Sequence, residues 1–280
     1  MTCCSCSLAF GAISLTIAYV VYKAFFKKRC CGKPKILKED YEKDKVYLYQ
    51  FPRSKKCPNL SPFCLKLQTI FRVYNIPHEI VSSASARSRN GTLPFIELNG
   101  EHIVDSDLIE MRIKKHFKIP ELSKEDEARS VAISRMADNH LFYILIRYKS
   151  TVSAFYSTIL EMLPLPQFLH PILHCLLQAH MTKKIRGRAN LGIGNFNDQE
   201  LNEIFHRDLT ALQNLLGDKK KYLFGDSVTC ADATVFGQLA TVYYPFGSCH
   251  VGEVIDREFP RLKKYMDDIV QDVFPNDFVL

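Results

Sequence analysis

A chain of 280 residues, 47% hydrophobic and 24% charged, has the balance of a globular protein with room for one large domain or two small ones. Its net charge of +7 is not spread over a face. Lys23, Lys27, Lys28, Arg29, Lys33, Lys35 and Lys38 form one basic run with no acid inside it, and the 37 Lys and Arg less these seven leave 30 against 30 Asp and Glu. The neutral remainder excludes the electrostatic footprint of a nucleic-acid-binding domain.

In chain order, residues 1–7 are a cysteine-rich N-terminus and residues 8–26, "LAFGAISLTIAYVVYKAFF", are apolar. As a helix that segment spans roughly 28 Å, about a hydrocarbon core, with its one charge, Lys23, near enough to the end to snorkel. A cleaved signal peptide would carry a basic stretch before the apolar run and a small-x-small site after it, and neither is present. The prediction is a retained anchor that contacts lipid through residues 8–26, with residues 30–280 on the cytosolic side by the positive-inside rule. Cys3, Cys4 and Cys6 precede it and Cys30 and Cys31 follow. Two readings stand: a thiolate cluster for a soft metal, or juxtamembrane acylation sites and free thiols. A spanning helix separates the two groups by a bilayer, and two cysteines alone do not close a tetrahedral site, so no metal site is assigned. The other five cysteines have no repeated CxxC spacing and are expected to be reduced.

Residues 27–45 form a basic and polar linker, read as a tether. Residues 46–51, "VYLYQF", suit a strand, and a turn follows at Pro52 and around Pro58. Residues 61–76 carry a helical apolar stripe opened by Ser61 as N-cap with Pro62 at the first helical position, and Pro77 ends it. A short strand at 78–81, a polar loop at 82–90 and a strand at 93–98 come next. Asn99-Gly100 is a strong hairpin signal before a return strand at 102–104. Asp105 or Ser106 then caps a helix over 106–117. After Pro120 the chain reads as all helix. A segment capped by Ser123 runs to about 150, and apolar residues 155–181, broken by Pro164, Pro166 and Pro171, read as buried helices joined by a proline loop. The glycine-bearing 186–196 reads as a loop, and helices are predicted at 198–216, 229–244 and 257–272. Thr229 and Asp232 form a capping box.

The order β-α-β, hairpin, helix, then an all-helical half resembles the glutathione S-transferase fold. "TLPFIELNG" resembles the strand whose proline is cis in that fold and in thioredoxins. "VDSDLI" resembles the segment that binds the γ-glutamyl end of glutathione, and "DSVTCADATVFG" resembles the capping box and buried aspartate of the second domain's core helix. "SPFCLKLQTIFRV" with "NGTLPFIELNGEHIVDSDLIE", behind an apolar anchor, is similar to the failed-axon-connections family, especially its cadmium-responsive members, described as lysosomal membrane proteins. The metaxins of the mitochondrial outer membrane are more distant relatives. The resemblance implies a thioredoxin-like domain at 46–118 and a helical transferase C-terminal-like domain at 119–280. It also implies glutathione as ligand and a role in cadmium and thiol stress and in metal-ion homeostasis. The lysosomal membrane is the implied location, and the mitochondrial outer membrane is the alternative.

Carried onto this chain, the resemblance places Leu93 and Pro94 against the backbone of a thiol tripeptide. It also places Ser106 on the γ-glutamyl carboxylate, which a helix N-terminus favours, and Asp105 on its ammonium. A plain capping pair is the competing reading of Asp105 and Ser106. Ser61 occupies the position of a catalytic serine or cysteine, where a hydroxyl can donate to a thiolate and lower its pKa. Cys64 occupies the second position of a C-x-x-C pair whose first member here is serine, so an internal disulfide cannot form. Cys64 is expected to be inert and partly buried, Cys57 to be exposed in its loop. Tyr47 and Tyr49 share one strand face, as packing residues or as an activating tyrosine. Residues 52–60 lengthen the strand–helix loop and put catalysis in doubt more than binding. His170 with His174, and Cys249-His250 with Cys230, are weak metal candidates beside a core reading. Two functions remain: a thiol-binding, transferase-type protein with Ser61, and more weakly Cys64 or Cys57, at its centre, or a non-catalytic adaptor that binds protein partners or a second copy of itself.

Overall fold

A computed structural model describes residues 36–247 and 249–278, so the apolar segment at 8–26 and its five flanking cysteines lie outside the described residues. Among the described residues no helix is long and apolar enough to cross a membrane.

Strand β1 (Val46–Gln50) is followed by helix α1 (Pro62–Val73) and strand β2 (His78–Ser82), then by the hairpin β3 (Phe95–Leu98) and β4 (Glu101–Val104) and helix α2 (Ser106–His116). The sheet order is β2-β1-β3-β4, with β1 and β2 parallel and the other pairs antiparallel. Asn99 and Gly100 both have positive φ, 50° and 77°, as a two-residue hairpin turn requires. All five residues of β1 are buried because both its faces are covered. Val46 and Leu48 pack with Leu67, Ile70 and Phe71 of α1, while Tyr47 and Tyr49 pack with Leu93, Phe95 and Val104 on the other face. The Tyr49 ring stacks on Phe95 at 4.5 Å and its hydroxyl donates to Glu97 at 3.1 Å, so the packing reading of this tyrosine holds.

The tether prediction needs revision from residue 37 onward. The Glu97 carboxylate, buried on β3, accepts the backbone N–H groups of Leu37 at 2.8 Å and Lys38 at 2.9 Å. The N–H of Asp44 donates to Asn99 at 2.8 Å. This part of the linker is therefore strapped to the sheet, because a buried carboxylate must find donors and the strap supplies them.

The helical half contains α3 (Lys124–Met136), a π-helical turn (Ala137–Leu141), α4 (Phe142–Lys149), α5 (Ser153–Glu161), α6 (His170–Ile193), α7 (Asp198–Leu216), α8 (Cys230–Tyr243), α9 (His250–Glu258) and α10 (Pro260–Val273). Every residue of α8 is buried. It packs on α1, and a side chain at Gly237 would come within 2.6 Å of the Pro62 carbonyl, so glycine sets the approach of the two halves. Thr229 and Asp232 form the predicted capping box.

Two expectations fail here. Residues 186–193 continue α6 instead of forming a loop, and residues 170–181 are not buried, since Ala189 is the one buried residue of the 24 in α6. Gly192 reads as a helix breaker, but in the fold it makes room for a ring: a Cβ would lie 2.5 Å from Tyr143. The interior glycines cost the helix about 1 kcal/mol each, which its length tolerates. The short α9 is an element the sequence reading does not contain.

Candidate functional site

The strand register brings most of the predicted residues to one end of the sheet. Phe95 pairs with Tyr49 on one side and Val104 on the other, so Pro94, the end of β1 and Asp105 lie side by side. The Leu93-Pro94 bond is cis, as the resemblance implies. Asn59 ties the start of α1 to the same edge: its amide donates to the Phe51 carbonyl at 2.8 Å, and its carbonyl oxygen accepts the Ser61 N–H at 2.9 Å. Ser61, Leu93, Pro94, Asp105 and Ser106 thus converge. Leu93, Pro94 and Ser106 are buried and Asp105 is exposed.

The start of α2 is capped by Asp105, whose carboxylate accepts the Asp107 N–H at 3.0 Å, so the capping reading holds for this residue whatever else it binds. Ser61 stands at the N-cap position of α1 without a side-chain cap bond, contrary to the prediction, because Pro62 at the first helical position and the Asn59 side chain finish that end.

The thiols do not form a reactive centre. Burial pushes Cys64 up to about 12, with the Ser61 hydrogen bond opposing it only in part. Cys57 is fully buried, which overturns its expected exposure. It packs with Leu60, Phe155, Tyr156 and Phe246, and its Sγ lies 3.3 Å from both Ser54 Oγ and the Asn59 carbonyl. The loop at 52–60 is clamped to the helical half by two ammonium groups, Lys56 on the Pro245 carbonyl and Lys149 on the Leu60 carbonyl, each at 3.1 Å. That clamp turns Cys57 inward. Burial raises its pKa too. Among the described cysteines Cys175 is the exposed one. We therefore expect peptide mapping of the briefly alkylated native chain to find Cys175 labelled and Cys57, Cys64 and Cys230 labelled only after denaturation. Labelling of Cys64 at the rate of Cys175 would contradict this geometry.

Lys149 carries no signal in the sequence. It is 2% exposed and burial pushes it down to about 8, with the Cys57 and Cys249 thiols pulling weakly the other way. Since the unfolded side chain titrates at about 10.4, the unfolded chain holds more protons between those values, and stability rises with pH across that window. Relative to Lys149→Met, the wild-type chain should gain up to about 3 kcal/mol between roughly pH 7.5 and 10.5, read by urea unfolding. A flat difference would show that the amine is hydrated.

Lys66 is the other group that sequence reasoning does not find. It is 1% exposed in α1, and its ammonium lies 2.8 Å from Asp107, 3.1 Å from Glu110 and 3.2 Å from Asp138. Gln238 of α8 donates to the second Asp138 oxygen at 2.8 Å, and Arg135 pairs with the second Asp107 oxygen. Burial works against the charge on Lys66, but the three carboxylates outweigh it and hold its pKa above the ordinary value. The surplus of carboxylates next to α2 favours an ammonium-bearing end of a ligand, while the free amides of the first turn favour its carboxylate. A γ-glutamyl group carries both. A shallow cleft beside the start of α1 borders Pro62, Lys149, Gln238 and Thr241, while a second, lined by Tyr74, Lys114, Thr229 and Cys230, lies at the opposite ends of α1 and α2, away from this edge.

The metal candidates do not assemble. His174 is hydrogen-bonded to Ser153 at 3.2 Å, His250 to Asn202 at 2.7 Å, and Cys230 and Cys249 pack in different clusters. Among the described residues no group of three His, Cys, Asp or Glu is placed to hold an ion.

Fold and site define a glutathione S-transferase-like protein. The glutathione S-transferase N-terminal domain profile matches residues 62–155, and the glutathione S-transferase C-terminal domain profile matches residues 205–269. The chain is 35% identical to Failed axon connections of Drosophila melanogaster over 222 residues, 74% of this chain and 52% of that protein, so it spans about half the length of that relative. It is 25% identical to the isoprene-epoxide–glutathione S-transferase of Rhodococcus over 203 residues, 69% of this chain and 85% of that one. A glutathione S-transferase of Ceriporiopsis subvermispora, solved in complex with glutathione, superposes with a TM-score of 0.55 at 17% identity, covering 84% of this chain and 98% of that one. The chain belongs to the glutathione S-transferase-like, failed-axon-connections family.

Proposed function

We propose that this chain binds glutathione, or a related γ-glutamyl thiol, at the sheet end where Ser61, Pro94, Asp105 and Ser106 meet. In this reading it serves the cellular response to cadmium and thiol stress and metal-ion homeostasis from a membrane-tethered position. The tether is the apolar segment at 8–26 and the proposed membrane is lysosomal, with the mitochondrial outer membrane as alternative. The observation that carries the reading is the convergence of a capped helix start, the Pro94 edge and a hydroxyl at the start of α1, three groups from separate parts of the chain. Ser106 receives the γ-glutamyl carboxylate together with the first amides of α2, and Asp105 faces its ammonium. Ser61 is the hydroxyl nearest the place for the sulfur.

A transferase reaction would ask Ser61 to donate to the bound thiolate. A second reading, partner binding without turnover, is favoured by one finding: the two thiols beside the start of α1, Cys57 and Cys64, are both fully buried. The two are separated by calorimetry and thiolate absorbance on the full chain. Ser106→Ala should weaken glutathione about tenfold, the loss of one charge-assisted hydrogen bond. Ser61→Ala should leave affinity within about twofold and raise the pKa of the bound thiol. Unchanged affinity in Ser106→Ala sinks the binding site. An unchanged thiol pKa in Ser61→Ala sinks the transferase reading and leaves the adaptor.

A further inference from the structure

Protein covers one face of helix α6, and the other face exposes both apolar and basic side chains. Leu177, Met181, Ile185 and Ala189, spaced by four, pack inward against α4 and α5 or the Cys57 cluster. On the opposite side Phe168, in the turn before the helix, is 78% exposed, Ile172 65% and Leu176 62%, and at the far end Leu191 is 90% exposed. Between them the same outer face carries Lys183, Lys184 and Arg188. From residue 162 to 197 the chain contains no Asp or Glu, while Lys183, Lys184, Arg186 and Arg188 give it four positive charges. Three exposed apolar side chains grouped at one end of this face, a fourth at the other and cations between them mark a contact surface.

Charge and shape select the partner. At the rise of a helix the segment from Phe168 to Leu191 is about 35 Å long, and a planar surface can meet both of its ends. Exposed Phe, Ile and Leu next to an acid-free basic segment suit an anionic lipid surface, with the apolar side chains among the acyl chains and Lys and Arg among the headgroups. Residues 27–35 span at most about 32 Å, so an anchor ending at residue 26, on the reading above, keeps the folded part within reach of the bilayer. We propose that the outer face of α6 docks on an anionic membrane surface, independently of whether the chain binds glutathione.

The chain contains no tryptophan, so Phe168→Trp places a single indole reporter on this face. The full chain carrying it is mixed with phosphatidylcholine vesicles with and without phosphatidylserine. We expect the indole emission to shift to the blue, and to be quenched by lipids brominated in the acyl chain, with phosphatidylserine only. Leu191→Trp should behave alike. Lys183→Glu and Arg188→Glu, each in the Phe168→Trp background, should demand about fivefold or more additional anionic lipid for the same shift, with circular dichroism confirming unchanged helix content. Insertion of residues 8–26 alone leaves the indole in water, so the reporter separates the helix from the anchor. Ser106→Ala should leave all of this unchanged. Three results overturn the proposal: emission unmoved by phosphatidylserine vesicles, an equal shift in neutral ones, or a shift without vesicles that grows with protein concentration, which would assign the face to a second copy of the chain.

Discussion

Lys66→Met should lower the stability of the folded domain by about 3–5 kcal/mol, the cost of removing one partner from a buried ionic cluster. In a thermal scan that is a fall of roughly 6–20 °C for a chain of this size. The reason is asymmetry. With the ammonium present, Asp107, Glu110 and Asp138 are compensated at 2.8 to 3.2 Å; without it, carboxylates from α2 and from the π-helical turn are left desolvated together. Adding Asp138→Asn to Lys66→Met should recover a part of the loss, about 1–3 kcal/mol, because it removes the most buried of the uncompensated charges. The same ion cluster fixes α1 against α2, hence Ser61 against Ser106, so glutathione affinity should fall with it. A loss under about 1 kcal/mol would mean that water reaches the cluster and screens it.

Asp232→Ala should cost about as much, about 3–5 kcal/mol by urea unfolding, through a different mechanism. Its carboxylate, fully buried, accepts the N–H of Leu223 at 2.9 Å, the N–H of Thr229 at 2.8 Å, the Thr229 hydroxyl at 2.6 Å and the Tyr265 hydroxyl at 3.1 Å. Deleting it strands several buried donors at once in the middle of the helical half. Thr229→Ala removes the cap bond from the Asp232 N–H and one of the four bonds to the carboxylate, leaving the other three, and should cost about 1–2 kcal/mol. If the two variants prove equally mild, Asp232 is an ordinary cap and not the centre of that core.

The chemistry that sits close in the chain is legible in advance. Asn99-Gly100 specifies its own turn, Thr229 and Asp232 are three apart, and α7 is bounded correctly at 198–216 by its cap and its stripe. The strands of the small sheet follow from alternation and turn residues. Lys66 and Lys149 are illegible for the opposite reason. Their partners lie 41 and 72 positions away for Lys66 and 89 positions away for Lys149, and a lysine beside apolar neighbours reads as solvated unless its acceptors are known. Cys57 is misjudged by the same blindness, since only the clamp from Lys149 and Lys56 makes its loop part of the core. At α6 the local signal itself misleads: glycines at 187, 192 and 194 outweigh a helical period whose inner face continues to Ala189. Within the site, the positions of Asp105 and Ser106 at the start of α2 are legible, while the missing cap bond at Ser61 requires the fold.

Hydrogen exchange of the full chain, with and without millimolar glutathione, tests the binding edge most directly. Slowed exchange confined to the amide of Leu93 and those of residues 105–108, saturating with glutathione, is the result expected from a γ-glutamyl group seated on the first turn of α2. Saturable binding that protects other segments, or no protection at any attainable concentration, would contradict it.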